Sequence, residues 1–275
     1  MTTINNCTFA LCTYDNGEDL WDGFFECLKK NWPEFDMPIV MNTESKTYNF
    51  DGYNIYCPCL DKEHKMTWSK RLKNTLKFVD TENILLFLED YWIKERVDNS
   101  LFLSVYDWFN RNENIANVSF CETFTENIDD KSNALFELRP KKCKYKINCQ
   151  AALWNRKKLI SYLRDYESAW DFEINGSIRA SRYDDLFYSI KKESVKVFSY
   201  EWGGVVHRGK WFGEGINDYI SKYGLCINPN VRGYANWEKE AKSKESFFEK
   251  IKKPNLLGRI AAIIRKKISK ILSLI

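Results

Sequence analysis

The sequence predicts an α/β fold, a mainly parallel sheet flanked by helices. Three observations predict it. Ile84-Leu85-Leu86-Phe87-Leu88 is an unbroken apolar run that ends in Glu89-Asp90-Tyr91-Trp92, the pattern of a strand buried on both faces. Strand-like runs alternate with helical periodicity from the N-terminus onward, in the order strand, helix, strand, strand, helix, strand. At 275 residues and 44% apolar content, the chain can build a full core as one large domain or one and a half.

Each element has its own signal. Thr8 to Tyr14 is a strand ending in the turn Asp15-Asn16-Gly17. Glu18 to Lys30 places Leu20, Trp21, Phe24, Phe25 and Leu28 at helical spacing. Pro38 to Met41 and Tyr53 to Tyr56 are short strands. Trp68 to Val79 is a helix with Leu72, Leu76 and Val79 on one face, and it leads into the Ile84 strand. Val97 to Phe109 is a second long helix and Ala116 to Phe120 a short strand. Residues 122–144, polar and acidic then basic, read as an irregular excursion. Ile147 to Trp154 returns as a strand, Arg156 to Tyr166 is helical, and a further helix is expected near Ser181 to Ile190. From Ser199 the chain turns glycine-rich, through Gly203-Gly204 and His207-Arg208-Gly209-Lys210-Trp211.

Composition narrows the function. A net charge of +4 is too small to argue for a nucleic-acid partner, and the positive charge concentrates at the C-terminus. The N-terminus lacks the pattern of a signal peptide, and no segment has the roughly 18 apolar residues of a spanning helix. Nine cysteines, an odd number without repeating spacing, read as reduced thiols in a cytoplasmic protein.

Residues 238–253, dominated by Lys and Glu, read as a charged helical spacer. In residues 254–275, Leu256, Leu257, Ile260, Ile263, Ile264, Ile268, Ile271, Leu272 and Ile275 recur at three- and four-residue steps. Arg259, Arg265, Lys266 and Lys270 take the other side, and no acid follows Glu249. Such a helix suits an anionic membrane surface, each basic residue adding about 1 kcal/mol. A helix packed on its own domain or on a second subunit is the alternative.

Ligands in open α/β sheets gather at the carboxyl ends of strands. Glu89 and Asp90, placed there, have the chemistry to hold Mg²⁺ or Mn²⁺ together with substrate phosphates; a solvated surface turn is the plainer reading. Tyr166 to Glu173 supplies three carboxylates among rings, any of which could serve as a general base. Capping by Asp171 and ordinary aromatic packing would explain the same residues. His207-Arg208-Gly209-Lys210 could close over a diphosphate or form an ordinary hairpin. With His64 and His207 the only histidines, a His-rich metal site is excluded.

Taken in order, Thr13-Tyr14-Asp15, Trp68-Ser69-Lys70-Arg71-Leu72, Glu89-Asp90-Tyr91-Trp92, Leu153-Trp154-Asn155-Arg156, Trp170-Asp171-Phe172-Glu173 and Val206-His207-Arg208-Gly209-Lys210-Trp211 resemble the GT-A-fold glycosyltransferases. The likeness is greatest to the small bacterial enzymes that build surface polysaccharides, and it spans about residues 7–215. The metal motif departs from the family's Asp-x-Asp, reading Leu-Glu-Asp-Tyr. The resemblance implies a GT-A-like domain over residues 1–237 and a nucleotide-sugar donor, UDP-linked. It implies Mn²⁺ or Mg²⁺ as cofactor and a glycan or lipid-linked acceptor on the inner face of the cell membrane. It further implies that Asp90 ligates the metal with Glu89 assisting. Glu173, with Asp171 as alternate, would deprotonate the acceptor in an inverting transfer. Thr13, Tyr14 and Asp15 would contact the nucleoside, and Arg71, His207 and Lys210 the diphosphate. A nucleotidyltransferase and a non-catalytic glycan- and membrane-binding protein are the competing readings. The acidic, single-glycine turn after the first strand counts against the former.

Overall fold

The computed structural model describes residues 4, 6–123, 127–131, 133–201, 203–225 and 227–235. The chain divides into two compact units at Glu201/Trp202.

In the first unit, β1 (Cys7–Cys12) leads through a 3₁₀ turn (Asp15–Leu20) into α1 (Trp21–Asn31). There follow β2 (Ile39–Met41), β3 (Ile55–Tyr56), α2 (Trp68–Thr75), β4 (Asn83–Leu88) and α3 (Asn99–Asn110). Next come β5 (Ile115–Ser119), β6 (Ile128–Asp129), β7 (Phe136–Leu138), β8 (Ala152–Asn155) and α4 (Arg156–Tyr162). Then α5 (Ala169–Asp171), a π-helical turn (Phe172–Gly176) and α6 (Ser177–Ala180) run continuously before β9 (Leu186–Ile190).

These strands form one nine-stranded sheet in the order β3-β2-β1-β4-β8-β5-β9-β7-β6. The pairings make β3, β2, β1, β4, β5, β9 and β6 run one way, with β8 and β7 against them. The sheet is thus mixed and mostly parallel, as the continuous apolar strands predict.

Alternation along β1 and β4 builds two cores. On one face Phe9 and Phe87 lie 5.2 Å apart, in a cluster with Phe24, Trp32, Phe102, Phe120 and Phe198. On the other, Ala10, Ile84 and Leu86 pack with Leu72, Leu76, Trp154, Tyr162 and Phe187. Side chains cap the helices where the sequence supplies acceptors. Thr67 accepts from the Lys70 amide, Asp98 from Leu101 and Asn155 from Lys158.

Gly23 lies in α1, where glycine weakens a helix, because the indole of Trp92 rests against its Cα. A Cβ there would fall 2.1 Å from Trp92 Cη2.

Three expectations need correction. Ser181–Ile190 is not a helix: Leu186–Ile190 is β9, a mostly apolar, buried run parallel to β5. The 122–144 excursion contains β6 and β7, short strands whose polar composition hid them. The Ile147–Trp154 strand is confined to β8, because the amides of Ile147 and Cys149 turn aside to Ser177 Oγ (2.9 Å) and Glu173 Oε1 (2.8 Å).

The second unit holds an antiparallel hairpin, β10 (Val206–His207) with β11 (Lys210–Trp211), and α7 (Gly213–Tyr223). Arg208 and Gly209, at φ 49° and 79°, form its two-residue turn, the left-handed pair that matches strand twist. Gly224 ends α7 in the left-handed conformation. The spacer and the basic amphipathic segment expected over 238–275 lie outside the described residues. Among those residues, no helix is long and apolar enough to cross a membrane.

Candidate functional site

Strand register decides what meets at the carboxyl end of the sheet. Cys12 of β1 pairs with Leu88 of β4, so Thr13 and Glu89 leave the sheet side by side. Gly17 packs between them. A Cβ added there would lie 3.2 Å from Glu89 Oε1 and 3.3 Å from Thr13 Oγ1, so the turn after β1 closes directly on the Glu89 carboxylate. Leu86 pairs with Ala152 of the antiparallel β8, and the residues just before Ala152 therefore lie along the end of β4. Cys149 is one of them. Its amide donates to Glu173, so the π-helical turn carries Glu173 to the same end of the sheet as Glu89 and Asp90.

The electrostatics agree. Burial, then the charge of Glu89, pushes the Cys12 thiol up to about 12. Burial, then Glu173 and Cys12, raises Cys149 well above its ordinary value. Both thiols stay protonated between the two acidic poles. Glu173 itself is raised by burial, an effect that the Cys149 amide and the charge of Arg139 oppose. Asp90 borders a stacked pair of rings, Tyr91 and Tyr200, with centroids 4.7 Å apart. Burial first and Asp90 second raise Tyr91. Trp92 Nε1 donates to the Glu89 carbonyl at 3.0 Å, pinning the Glu89-Asp90 turn to the indole that rests on Gly23.

The remaining expected residues divide. Tyr14 is exposed at the rim. Thr13 is buried, and its hydroxyl accepts from Trp21 Nε1 at 2.7 Å. Asp15 is buried too: its carboxylate accepts from the Glu44 amide (2.9 Å), the Ser45 amide (3.0 Å) and the Ser45 hydroxyl (2.5 Å). Burial alone would raise Asp15, but the Ser45 hydroxyl and the amides of Glu44, Lys46 and Ser45 hold it below its ordinary value.

Arg71, expected toward a diphosphate, is buried as a strut between the ends of β1 and β2. Its guanidinium pairs with Glu44 at 2.5 Å and donates to the carbonyls of Asn42 (3.1 Å) and Thr13 (3.0 Å). Asp171 closes a capping box with Ser168 and is exposed, which leaves Glu173 as the enclosed acid. His207 and Lys210 pair across the hairpin of the second unit.

Two groups offer metal ligands. Asp15, Glu44 and His64 bring ligand atoms within 4.8 Å of one another, a combination absent from the sequence reading because its members are 29 and 20 positions apart. The group's carboxylates also accept from Ser45 and pair with Arg71. Glu89 and Asp90 offer carboxylate oxygens beside thiols that remain protonated, a donor set that fits a hard cation such as Mg²⁺ or Mn²⁺.

Arg139 was not foreseen. Beside Pro140-Lys141-Lys142 it reads as a surface charge, yet it is only 1% exposed. Nη1 donates to the Lys146 carbonyl at 2.6 Å, while Nε and Nη2 have no hydrogen-bond partner among the described residues. Burial draws it down to about 10, countered by Cys143, Cys121 and Glu173.

No protein-family model matches the chain, and no curated protein matches it. Solved structures do, at low identity. Residues 1–349 of S. aureus TarS in complex with UDP align at TM-score 0.47 and 10% identity, over 70% of this chain and 59% of that one. Mannosyltransferase PcManGT from Pyrobaculum calidifontis, in complex with GDP-Man and Mn²⁺, aligns at 0.46 and 13%, over 97% and 80%. Galactosyltransferase LgtC, in complex with donor and acceptor sugar analogues, aligns at 0.41 and 11%, over 80% and 97%. Likenesses of this extent carry no argument about function, and the fold class rests on the strands and helices themselves.

Proposed function

We propose that the protein is a glycosyltransferase that moves a sugar from a nucleotide-sugar donor to an acceptor hydroxyl. One observation supports this reading above all. A half-buried carboxylate, Glu173, and an acidic pair, Glu89-Asp90, stand at the same end of one α/β sheet on different strand connections. Transfer of a glycosyl group requires two separated functions: neutralising a departing diphosphate, and taking a proton from the incoming alcohol.

Glu173 would take the acceptor proton. Its enclosure raises its basicity above that of a solvated glutamate, and the Cys149 amide fixes its orientation. Glu89 and Asp90 would hold Mg²⁺ or Mn²⁺, which when bound offsets charge on the leaving diphosphate. The Asp15–Glu44–Arg71 network would shape the wall against which the nucleoside lies, with Tyr14 at its rim. A single enclosed base would suit direct displacement with inversion. The acceptor would be a glycan or a lipid-linked oligosaccharide, in surface-polysaccharide synthesis at the inner face of the cell membrane, where the C-terminal basic segment would hold the enzyme.

The test is a thermal-shift panel of UDP, GDP and their sugars with and without Mn²⁺, followed by product analysis with the best donor. Binding to the native state alone raises the midpoint. Asp90→Ala is expected to remove the Mn²⁺-dependent part of the shift, and Glu173→Ala to abolish transfer while leaving donor binding intact. Transfer retained in both variants would overturn the assignment; no shift with any nucleotide would favour a glycan-binding protein without catalysis.

A further inference from the structure

The helical rod from 169 to 180 buries one side and leaves the other bare. Phe172, Asn175, Gly176, Ser177, Arg179 and Ala180 face inward. Trp170, Ile174 and Ile178, four residues apart, remain 76%, 53% and 37% exposed. Spacing of four along a helix places side chains on one face, so the three form a single apolar stripe with a tryptophan at its head. Lone exposed apolar residues are ordinary; a contiguous stripe marks a contact surface.

The charge beside it is basic. The first turn of α2 packs on the segment leading into the rod: Thr67 Oγ1 donates to the Asp165 carbonyl and the Ser69 amide to the Glu167 carbonyl at 3.2 Å. Lys73 pairs with Asp165 at 3.0 Å. Lys70, Lys73 and Lys77 follow at steps of three and four along α2 and the 3₁₀ turn after it, so three ammonium groups share one face. The Lys73 hydrogen bond and their charges hold Asp165 below its ordinary value. Asp165 is paired with Lys73, and Asp171, which keeps its charge in its capping box, is set against the two further cations Lys70 and Lys77. The charge left over is positive.

We propose that this stripe, with Lys70, Lys73 and Lys77 beside it, seats the protein on an anionic lipid surface. A tryptophan and two isoleucines give an insertion of shallow depth, and Lys70 and Lys77 meet the headgroups. This surface is built from residues of the described fold, distinct in sequence from residues 254–275. Glu173 is carried on the same rod, next to Ile174. The seating would therefore bring the proposed base to the level at which a lipid-linked alcohol emerges, a consequence that rests on the transferase reading. The contact itself does not depend on that reading.

The experiment is co-sedimentation of the full-length protein with vesicles of phosphatidylcholine plus phosphatidylglycerol, and with phosphatidylcholine alone. Trp170→Glu/Ile174→Glu is expected to lower partitioning onto the anionic vesicles by at least about tenfold, since each side chain gives up a buried apolar contact. Lys70→Glu/Lys77→Glu is expected to abolish the preference for anionic over neutral vesicles. Both substitutions fall on exposed positions, and circular dichroism and thermal midpoint verify folding. Partitioning unchanged in both variants overturns the proposal. So does binding lost only on reversing Arg265 and Lys266. A stripe variant that converts a dimer to a monomer while vesicle binding persists overturns it in favour of a second copy of this chain. Because sugar transfer is not the readout, a failure here and a failure of the transferase assignment are distinguishable.

Discussion

Replacing Gly23 by alanine tests how the acidic turn is held. The added Cβ would lie 2.1, 2.3 and 2.7 Å from Cη2, Cζ2 and Cζ3 of Trp92, where carbon atoms prefer about 3.5–4.0 Å. The indole must retreat by more than an ångström, about the difference between those figures. It is fully buried and held by its hydrogen bond to the Glu89 carbonyl, so it has little freedom to do so. Overpacking of this kind costs about 1–3 kcal/mol, and a rigid, enclosed ring puts this case at the upper end. Alanine recovers about 0.5–1 kcal/mol of helix propensity. The net loss is therefore about 2 kcal/mol, or about 4–8 °C in thermal midpoint for a unit of this size. Urea or thermal denaturation measures it. In a Trp92→Phe background the smaller ring leaves room, and the same substitution should cost measurably less, a coupling above about 0.5 kcal/mol. Gly23→Ala as stable as the parent would refute the reasoning. In the surviving folded protein, the Mn²⁺-dependent shift with nucleoside diphosphate should fall more than the midpoint does.

Further outcomes follow from the same contacts. Glu167 and Arg179 form a two-bonded buried ion pair, each contact 2.6 Å, beneath the rod that bears Glu173. Glu167→Ala strands a buried guanidinium and should cost about 3–5 kcal/mol in urea denaturation, with unaltered stability as the contrary result. Glu173 has a raised folded pKa, so its ionisation costs stability as pH rises from the unfolded value of 4.5 through the folded one. Glu173→Gln should therefore be as stable as the parent or more so at neutral pH, and should lack that pH dependence; equal pH slopes in the two proteins would count against burial as the cause. Asp15 is the opposite case, lowered in the fold. Its stabilisation is present above 3.8 and is lost as pH falls through the folded pKa. Asp15→Asn should cost about 1–3 kcal/mol at neutral pH, with the difference narrowing in acid. Arg139→Met removes a charge that favours ionised Glu173, so the acidic limb of the pH–rate profile should move upward; an unmoved limb would show that the two groups are uncoupled.

The order of elements through β5 was legible because each carries an unambiguous period. Five apolar residues in a row, the first four of them buried, make β4, and Trp21, Phe24, Phe25 and Leu28 can share a face only as a helix. Glu89-Asp90 was legible as a turn after a core strand for the same reason. What escaped depended on distant contacts. The Leu186–Ile190 strand is recognisable only from β5 beside it. Residues 147–150 look like strand, yet their amides are diverted to Glu173 and Ser177. Arg139 reads as one basic residue among several until the fold buries it. The fate of Arg71 was hidden likewise, since its three acceptors, Glu44, Asn42 and Thr13, come from loops 27, 29 and 58 positions away.

The outermost strands of the sheet, β3 and β6, contain two residues each. A long sheet whose margins exposed full rows of unpaired amides would invite lateral addition of another chain. Here each margin offers a foothold too brief for stable pairing, and β6 further carries Asp129 in an ion pair with Lys191. Nine strands rich in aromatic and branched side chains can thus remain a closed assembly, protected from edge-to-edge aggregation by the shortness of their borders.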